Sequence, residues 1–214
     1  LPEHIARNLL KAALLHDSGY IQEVWDTEGS GAKYTSGHVE RSVDFLEKNH
    51  RMLNIESGEV GMVARIIRCT GLSALPESLN FTGEGEAVAG CIMGTADLLG
   101  QMSDRAYLEK LLFLYHEFRE AGIPGLETEF DILKKTVAFY EQTVKRMRES
   151  YRGVSGLVRH HFRRRFGVDR DLYEEAISRH MAYLQKILDD SSTNFRHKLK
   201  RGSWVHDEKY SRGR

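Results

Sequence analysis

Residues Gly85–Met102 read GEAVAGCIMGTADLLGQM, and this stretch decides the fold class. Its only Asp, Glu, Lys or Arg side chains are Glu86 and Asp97, and its apolar residues cover much of the circumference of a helix. A helix that is apolar on most sides is buried by the elements around it. The sequence therefore predicts that residues 85–102 form the central helix of a helical protein.

Helical periodicity continues on both sides of the central stretch, with apolar residues recurring in steps of three and four. Seven further helices are predicted, over about residues 2–16, from 38 onward, 57–69, from a cap at Ser103 to 121, 130–147, after Gly156, and 171–188. No segment alternates apolar and polar residues with the two-residue period of a strand. The predicted fold class is all-α.

The composition favours a globular protein over a membrane-spanning or disulfide-rich one. A chain of 214 residues with 41% hydrophobic and 29% charged residues can bury the core of a globular domain. No apolar run approaches the roughly 18 residues of a membrane span, so we expect no membrane association. Two cysteines, Cys69 and Cys91, are too few for a disulfide framework and predict a reducing, cytoplasmic location.

The zero net charge hides an asymmetry along the chain. Residues 151–214 hold fifteen Lys and Arg against eight Asp and Glu, so this end carries +7 and the preceding residues carry −7. Such an end can bind a polyanion or pair with acidic surface of the same protein. We predict a core over residues 1–125, helices packed on it over 126–190, and a loosely held basic tail over 191–214.

The pair His16-Asp17 ends the first predicted helix, directly before Ser18 and Gly19. A histidine beside an unpaired carboxylate is costly to desolvate, and a divalent metal ion would remove that cost. Asp97 needs a partner for the same reason, because it lies in the apolar central helix. The alternative interpretation is structural: His16 packs at a helix end, and Asp97 pairs with an arginine.

Two motifs together carry a family resemblance. Ala12-Ala13-Leu14-Leu15-His16-Asp17-Ser18-Gly19 and the later Thr95-Ala96-Asp97-Leu98-Leu99 resemble the motifs of the HD-domain metal-dependent phosphohydrolases. The resemblance covers roughly residues 1–120 and implies an HD-type helical bundle. It also implies that His16, Asp17 and Asp97 bind a divalent metal ion. The family's first histidine lies on an earlier helix, whereas His4 lies on the same predicted helix as His16, so either an opening helix is missing from the given sequence or the site is degenerate.

The resemblance also implies catalytic residues. Two-metal members of the family place an extra histidine where His38 lies, so His38 and Asp17 are catalytic candidates. Lys33 joins them, because its loop connects the metal-bearing helix to His38 and can reach a substrate phosphate. A further family histidine falls near Cys69, whose sulfur does not suit Mg²⁺ or Mn²⁺. We expect Cys69 to be a buried apolar side chain.

Besides Lys33, three further residues are candidates for binding the substrate. Gln101 lies four residues after Asp97 and shares its helix face. Arg65 and Arg68 lie near the end of the third predicted helix, where they either line a phosphate pocket or face water. The implied cofactor is a divalent ion of Mg, Mn, Co, Ni or Fe. With three ligands where the family has four, we predict weak metal binding.

Three hypotheses for function follow. The leading one is a metal-dependent phosphohydrolase that acts on a phosphate mono- or diester, with a nucleotide as one such small substrate. The second is a degenerate HD-type module that binds a nucleotide or a protein partner without turnover. The third is a di-iron oxygenase, which the absence of a histidine at Cys69 disfavours.

The densest basic cluster is Arg159-His160-His161-Phe162-Arg163-Arg164-Arg165-Phe166. Arginine with aromatic residues suits nucleic acid, but no named nucleic-acid module accompanies it and the sequence pI is only about 7.3. The sequence therefore favours a surface helix or a contact within a homo-oligomer over nucleic-acid binding. His160 and His161 lack the four-residue spacing of a helical zinc site.

Overall fold

The computed structural model describes residues 1–72 and 74–199. In these ranges it contains eight α-helices and no β-strand, which confirms the all-α prediction. The helices are α1 (Glu3–Leu15), α2 (His38–Asn49), α3 (Ser57–Arg68), α4 (Glu84–Ser103), α5 (Tyr107–Glu120), α6 (Glu129–Glu149), α7 (Val158–Phe166) and α8 (Leu172–Asp189). No helix of the described ranges has the length and apolar character needed to cross a bilayer.

The chain divides into two compact units that interleave along the sequence. The first unit comprises residues 1–98 and 144–157. The second comprises residues 99–143 together with the described residues from 158 to 199. The predicted segments are consecutive, whereas α4 and α6 each contribute residues to both units.

The core of the first unit forms where α1 and α2 pack against α3. Each helix contributes an apolar face at the three- and four-residue spacing that the sequence shows. Full burial of one such aliphatic side chain contributes about 1.5–3 kcal/mol to stability. The buried residues of these three helices include Ile5, Ala12, Val43, Leu46, Val63, Ile66 and Ile67.

The central helix α4 is confirmed within one residue at each end of the predicted span. Gly94 lets Tyr151 approach it closely, because a Cβ at position 94 would lie 2.4 Å from Tyr151 Cζ. The Tyr151 hydroxyl donates to the carbonyl oxygen of Cys69 at 2.5 Å and accepts from Arg146 Nε at 2.8 Å. The Arg146 guanidinium also donates to the carbonyl oxygen of Gly71 at 2.7 Å. This network fixes the loop that leads from α3 toward α4.

The core of the second unit includes residues of α5 and α8, which pack on each other. His180 is buried on α8 and donates from Nδ1 to the carbonyl oxygen of Met102 at 3.0 Å. Its ring stacks on that of Tyr107, with centroids 6.0 Å apart. The buried apolar residues of the two helices include Leu108, Leu111, Leu112, Ile177, Leu184 and Ile187.

The predicted helix cap at Ser103 is wrong. Ser103 is the last residue of α4, and α5 begins at Tyr107. Asp104 organises the turn between them, because its side chain accepts the Ala106 N–H at 2.7 Å and its carbonyl oxygen accepts the Tyr107 N–H at 2.9 Å. An aspartate that bonds the backbone two residues ahead favours a turn.

The expectation of a loosely held tail from residue 191 is wrong for residues 195–199. Leu199 is fully buried, and Arg196 donates from Nε to a carboxylate oxygen of Glu129 at 2.9 Å. Both the ion pair and the buried leucine hold this segment within the second unit. The rest of the predicted tail, from residue 200 to 214, lies outside the described residues.

Candidate functional site

Four of the predicted site residues converge in the first unit. Asp17 lies between two histidines: its Oδ2 is 3.4 Å from His16 Nε2, and its Oδ1 is 3.8 Å from His38 Nε2. Asp97 approaches the same nitrogen of His16, with Oδ1 at 3.7 Å. We call these four residues the His-Asp cluster. Its members come from the end of α1, the start of α2 and the middle of α4.

Both histidines present the same nitrogen to the carboxylates. His16 Nδ1 lies 2.9 Å from the carbonyl oxygen of Ala13, and His38 Nδ1 lies 2.7 Å from that of Thr35. A carbonyl oxygen only accepts hydrogen bonds, so each Nδ1 carries a proton and, in the neutral ring, Nε2 keeps its lone pair. The same bond to a backbone carbonyl orients histidines that ligate metals.

His16 carries a positive charge in the His-Asp cluster. The nearby carboxylate of Asp97 raises the pKa of His16 to about 9, an effect that burial opposes and the negative charge of Asp17 reinforces. His16 is therefore protonated on both nitrogens at neutral pH. The carboxylates of Asp17 and Asp97 thus both face the His16 imidazolium, which is an environment that favours positive charge.

The imidazole nitrogens and carboxylate oxygens of the His-Asp cluster are atom types that bind divalent metal ions, but they lie too far apart to coordinate one together. Among residues 1–72 and 74–199, no group of three or more His, Cys, Asp or Glu side chains is arranged to hold a metal ion. Two ligands at right angles, each ~2.1 Å from Mg²⁺, lie about 3 Å apart. The separations between 3.4 and 3.8 Å are wider, so the side chains would have to move closer together. Imidazole nitrogens with carboxylate oxygens fit ions such as Mn²⁺, Fe²⁺ or Zn²⁺.

Two residues that the sequence analysis missed hold the backbone of the His-Asp cluster. Ser42 is fully buried, accepts the Gly19 N–H at 2.8 Å and donates to the carbonyl oxygen of His16 at 2.5 Å. Arg41 donates from Nε to the carbonyl oxygen of Gly19 at 2.7 Å. One signal was available for Ser42: it follows His38 by four residues and so lies one turn further along the same helix face.

Gly19 permits the close approach of this turn to α2. A Cβ at position 19 would lie 1.9 Å from the carbonyl oxygen of His38 and 2.8 Å from the backbone nitrogen of Ser42. Any other residue would push the turn that follows Asp17 away from His38. The glycine in the His-Asp-Ser-Gly sequence is thus explained by packing.

Residues 17–154 match the family model described as Npun_R2479-like. The chain belongs to the Npun_R2479-like family. The matched region covers well over half of the 214 residues, begins at Asp17 and contains His38 and Asp97. No curated protein and no solved structure matches the chain. The family description names no activity, so the chemistry has to be argued from the residues.

Lys33 also lies within the region that matches the Npun_R2479-like family. Its ammonium group donates to the carboxylate of Asp26 and to the carbonyl oxygen of Glu28, both within its own loop. In this arrangement Lys33 stabilises the loop that precedes α2. A role toward a substrate phosphate would require Lys33 to leave Asp26.

Two of the candidate substrate-binding residues, Arg65 and Arg68, form ion pairs with carboxylates of the first unit. Arg65 Nε donates to Glu86 Oε1 at 2.5 Å, and Glu86 is almost completely buried. Arg68 forms a forked ion pair with Glu40, with Nη2 2.8 Å from Oε2. Gln101 belongs to the second unit and is exposed. Arg65 therefore stabilises a buried carboxylate in this Npun_R2479-like protein.

The remaining expectations about single residues have clear outcomes. Within the described residues, the ion-pair partner of Asp97 is His16, so the alternative pairing of Asp97 with an arginine is wrong. Cys69 has no exposed surface, and burial raises the pKa of its thiol to about 12. Cys69 is therefore a neutral buried side chain, as its sequence context indicated.

Proposed function

We propose that this protein is a metal-dependent phosphohydrolase that acts on a phosphate mono- or diester at the His-Asp cluster. The observation that supports the proposal is the convergence of two histidine Nε2 atoms and two carboxylates from distant parts of the chain. Such a group lies next to solvent, with 59% of the Asp17 side chain and 34% of the Asp97 side chain exposed. A substrate can reach it.

His16, His38, Asp17 and Asp97 are the residues that would hold the ion. A bound divalent ion supplies neutralisation of charge on the phosphoryl oxygens and activation of a water molecule. Asp17 faces both histidines. The carbonyl oxygens of Ala13 and Thr35 hold the two rings in the orientation that presents Nε2. Tyr20 stacks on His38, with centroids 4.5 Å apart, and limits its rotation.

The HD-type arrangement and a nucleotide substrate form part of the proposal. A histidine followed by an aspartate, with a later second aspartate, is the part of that superfamily's motif that this sequence resembles. The resemblance of His16-Asp17 and Asp97 to this motif supports that part of the proposal. Nucleoside mono- and diphosphates and cyclic phosphodiesters are accordingly the first substrates to assay.

An activity assay with a matched variant tests the proposal. The purified protein is incubated with panels of phosphate mono- and diesters in the presence of Mg²⁺, Mn²⁺, Co²⁺, Ni²⁺ or Fe²⁺, and phosphate release is measured. We expect turnover of at least one ester, and we expect Asp97→Asn to lower kcat/KM by about 100-fold or more, since loss even of a residue that only supports a ligand costs 10–100-fold. His160→Ala, on exposed α7, is the control and should leave the rate unchanged.

Two results would contradict the proposal. One is an absence of turnover with every ester and ion, which together with nucleotide binding would favour the non-catalytic module. The other is equal activity in Asp97→Asn and the parent, which would mean that the reaction takes place at another site.

A further inference from the structure

Helix α7 carries a concentration of positive charge on the surface of the second unit. Arg163, Arg164 and Arg165 are consecutive and exposed, and His160 and His161 of the preceding turn are exposed as well. No carboxylate of the described residues lies within ion-pair distance of these three arginines, whereas Arg159, Arg170, Arg179 and Arg196 of the same unit are all paired. The positive charges of Arg163, Arg164 and Arg165 are therefore not neutralised by an ion pair within the described residues.

The carboxylate of Asp169 interacts electrostatically with Arg163 and His160. The negative charge of Asp169 partly offsets the positive charge at Arg163 and His160. Both of its carboxylate oxygens, however, already accept hydrogen bonds from Arg159, at 2.9 and 2.8 Å. A carboxylate that forms two hydrogen bonds with one guanidinium has little remaining capacity for a second partner. Arg163 thus stays available to an anion from outside the protein.

The arrangement of the side chains suits a chain of phosphate groups. His160, Arg163 and Arg164 follow the three- and four-residue spacing of one helix face and line an open depression. Arg165 lies over the ring of Phe166, 5.7 Å from its centroid, and 59% of Phe166 is exposed. Cationic groups and an exposed aromatic ring therefore occupy one short helix.

We propose that α7 binds single-stranded nucleic acid through its phosphodiester groups. The planar guanidinium matches the geometry of phosphate oxygens, and an exposed aromatic ring offers a base a stacking surface without sequence preference. The proposal does not depend on the proposed hydrolase activity. It also reverses the expectation from the sequence, which rested on the lack of a named nucleic-acid module and on the overall pI and could not show which arginines are paired.

The same observations argue against an anionic membrane as the partner. A helix that lies in a membrane interface inserts an apolar face among the lipids. The apolar residue in the middle of α7, Phe162, is buried and contacts Tyr173 of α8 edge-on, with ring centroids 5.0 Å apart. Phe166 at the end of the helix does not by itself make an apolar face.

Fluorescence anisotropy of a labelled single-stranded oligonucleotide tests the proposal with the full chain. We expect binding in about 50 mM salt, with log K falling against log salt at a slope of about −2, the value for three neutralised phosphates on a single strand. The combined variant Arg163→Gln/Arg164→Gln/Arg165→Gln should bind at least about 10-fold more weakly, and its log K should fall less steeply with log salt. Phe166→Ala should weaken binding about 5-fold or more, because it removes stacking.

A matched control removes the same number of positive charges from a different part of the protein. Arg7, Arg51 and Arg148 are exposed arginines of the first unit, and their combined replacement by glutamine should change the affinity less than about 2-fold. Equal weakening in both triple variants would overturn the proposal, since it would report net charge alone. Absence of oligonucleotide binding by the parent, with or without binding to phosphatidylserine vesicles, would overturn it too.

Discussion

Replacing Gly19 with alanine should lower the free energy of unfolding by about 3 kcal/mol or more. The added Cβ would lie 1.9 Å from the carbonyl oxygen of His38, and backbone cannot swing aside as a long side chain can. The turn after Asp17 would have to move away from α2, which would break the bond from the Gly19 N–H to the buried hydroxyl of Ser42. Chemical denaturation followed by circular dichroism measures the change.

Gly37→Ala is the matched control for this substitution. Gly37 directly precedes His38, yet a Cβ at position 37 meets no atom within 4 Å, and its φ of −124° is accessible to alanine. We expect a change of less than about 1 kcal/mol for the control. If Gly19→Ala is as stable as Gly37→Ala, the close packing of the turn against α2 does not exist in solution.

Arg65→Met should cost about 3 kcal/mol of unfolding free energy at neutral pH, since it leaves the carboxylate of Glu86 buried without its cation. Glu86 is 1% exposed. Burial acts to raise its pKa, but the hydrogen bonds from Arg65 and from Thr82 outweigh burial and hold the pKa below its usual value. The methionine keeps most of the packing of the arginine stem.

The effect of Arg65→Met should depend on pH in a defined direction. In the parent, ionised Glu86 contributes stability that is fully present above its unfolded pKa of about 4.5 and is lost as the pH falls through the lower folded pKa. In the variant, burial dominates and the Glu86 pKa rises above its unfolded value, so the carboxyl group can be buried neutral in acid. The stability difference between parent and variant should therefore be largest near pH 7 and shrink below about pH 5.

Arg68→Met is the control for Arg65→Met. It removes an arginine from the same helix, but its partner Glu40 keeps 64% of its side chain exposed, so the lost ion pair is worth about 1 kcal/mol or less. Equal losses in the two variants at pH 7 would contradict the assignment of Arg65 to a buried ion pair.

Most of the fold follows from periodicity along the chain. The span of α4 was predicted from its apolar circumference, and α3 from four apolar residues at helical spacing, because burial of a helix face leaves a direct trace in the sequence. The start of α5 was predicted at the wrong residue. Ser103 and Asp104 are both good capping residues, and only the structure shows that Asp104 forms a turn and that the helix begins three residues later.

The sequence could predict a site residue only where a charged or titratable side chain is unusual for its surroundings. An aspartate in an apolar helix and a histidine beside an aspartate needed an explanation, which singled out Asp97, His16 and Asp17. Arginine and lysine are usually exposed, so their residue type does not single out Arg65 or Lys33. Their partners, Glu86 and Asp26, are determined by the tertiary structure. Sequence spacing holds no information about such pairs.

Calorimetric titration with Mn²⁺ tests the central claim, that the His-Asp cluster is a metal centre, most directly. The parent should bind the ion weakly, because the ligands have to close around it, and Asp97→Asn should abolish binding by removing a charge while keeping the side-chain shape. Asp97 keeps 34% of its side chain exposed, so the variant should fold normally, and His160→Ala should bind like the parent. If Asp97→Asn binds Mn²⁺ as the parent does, the His-Asp cluster is not a metal centre.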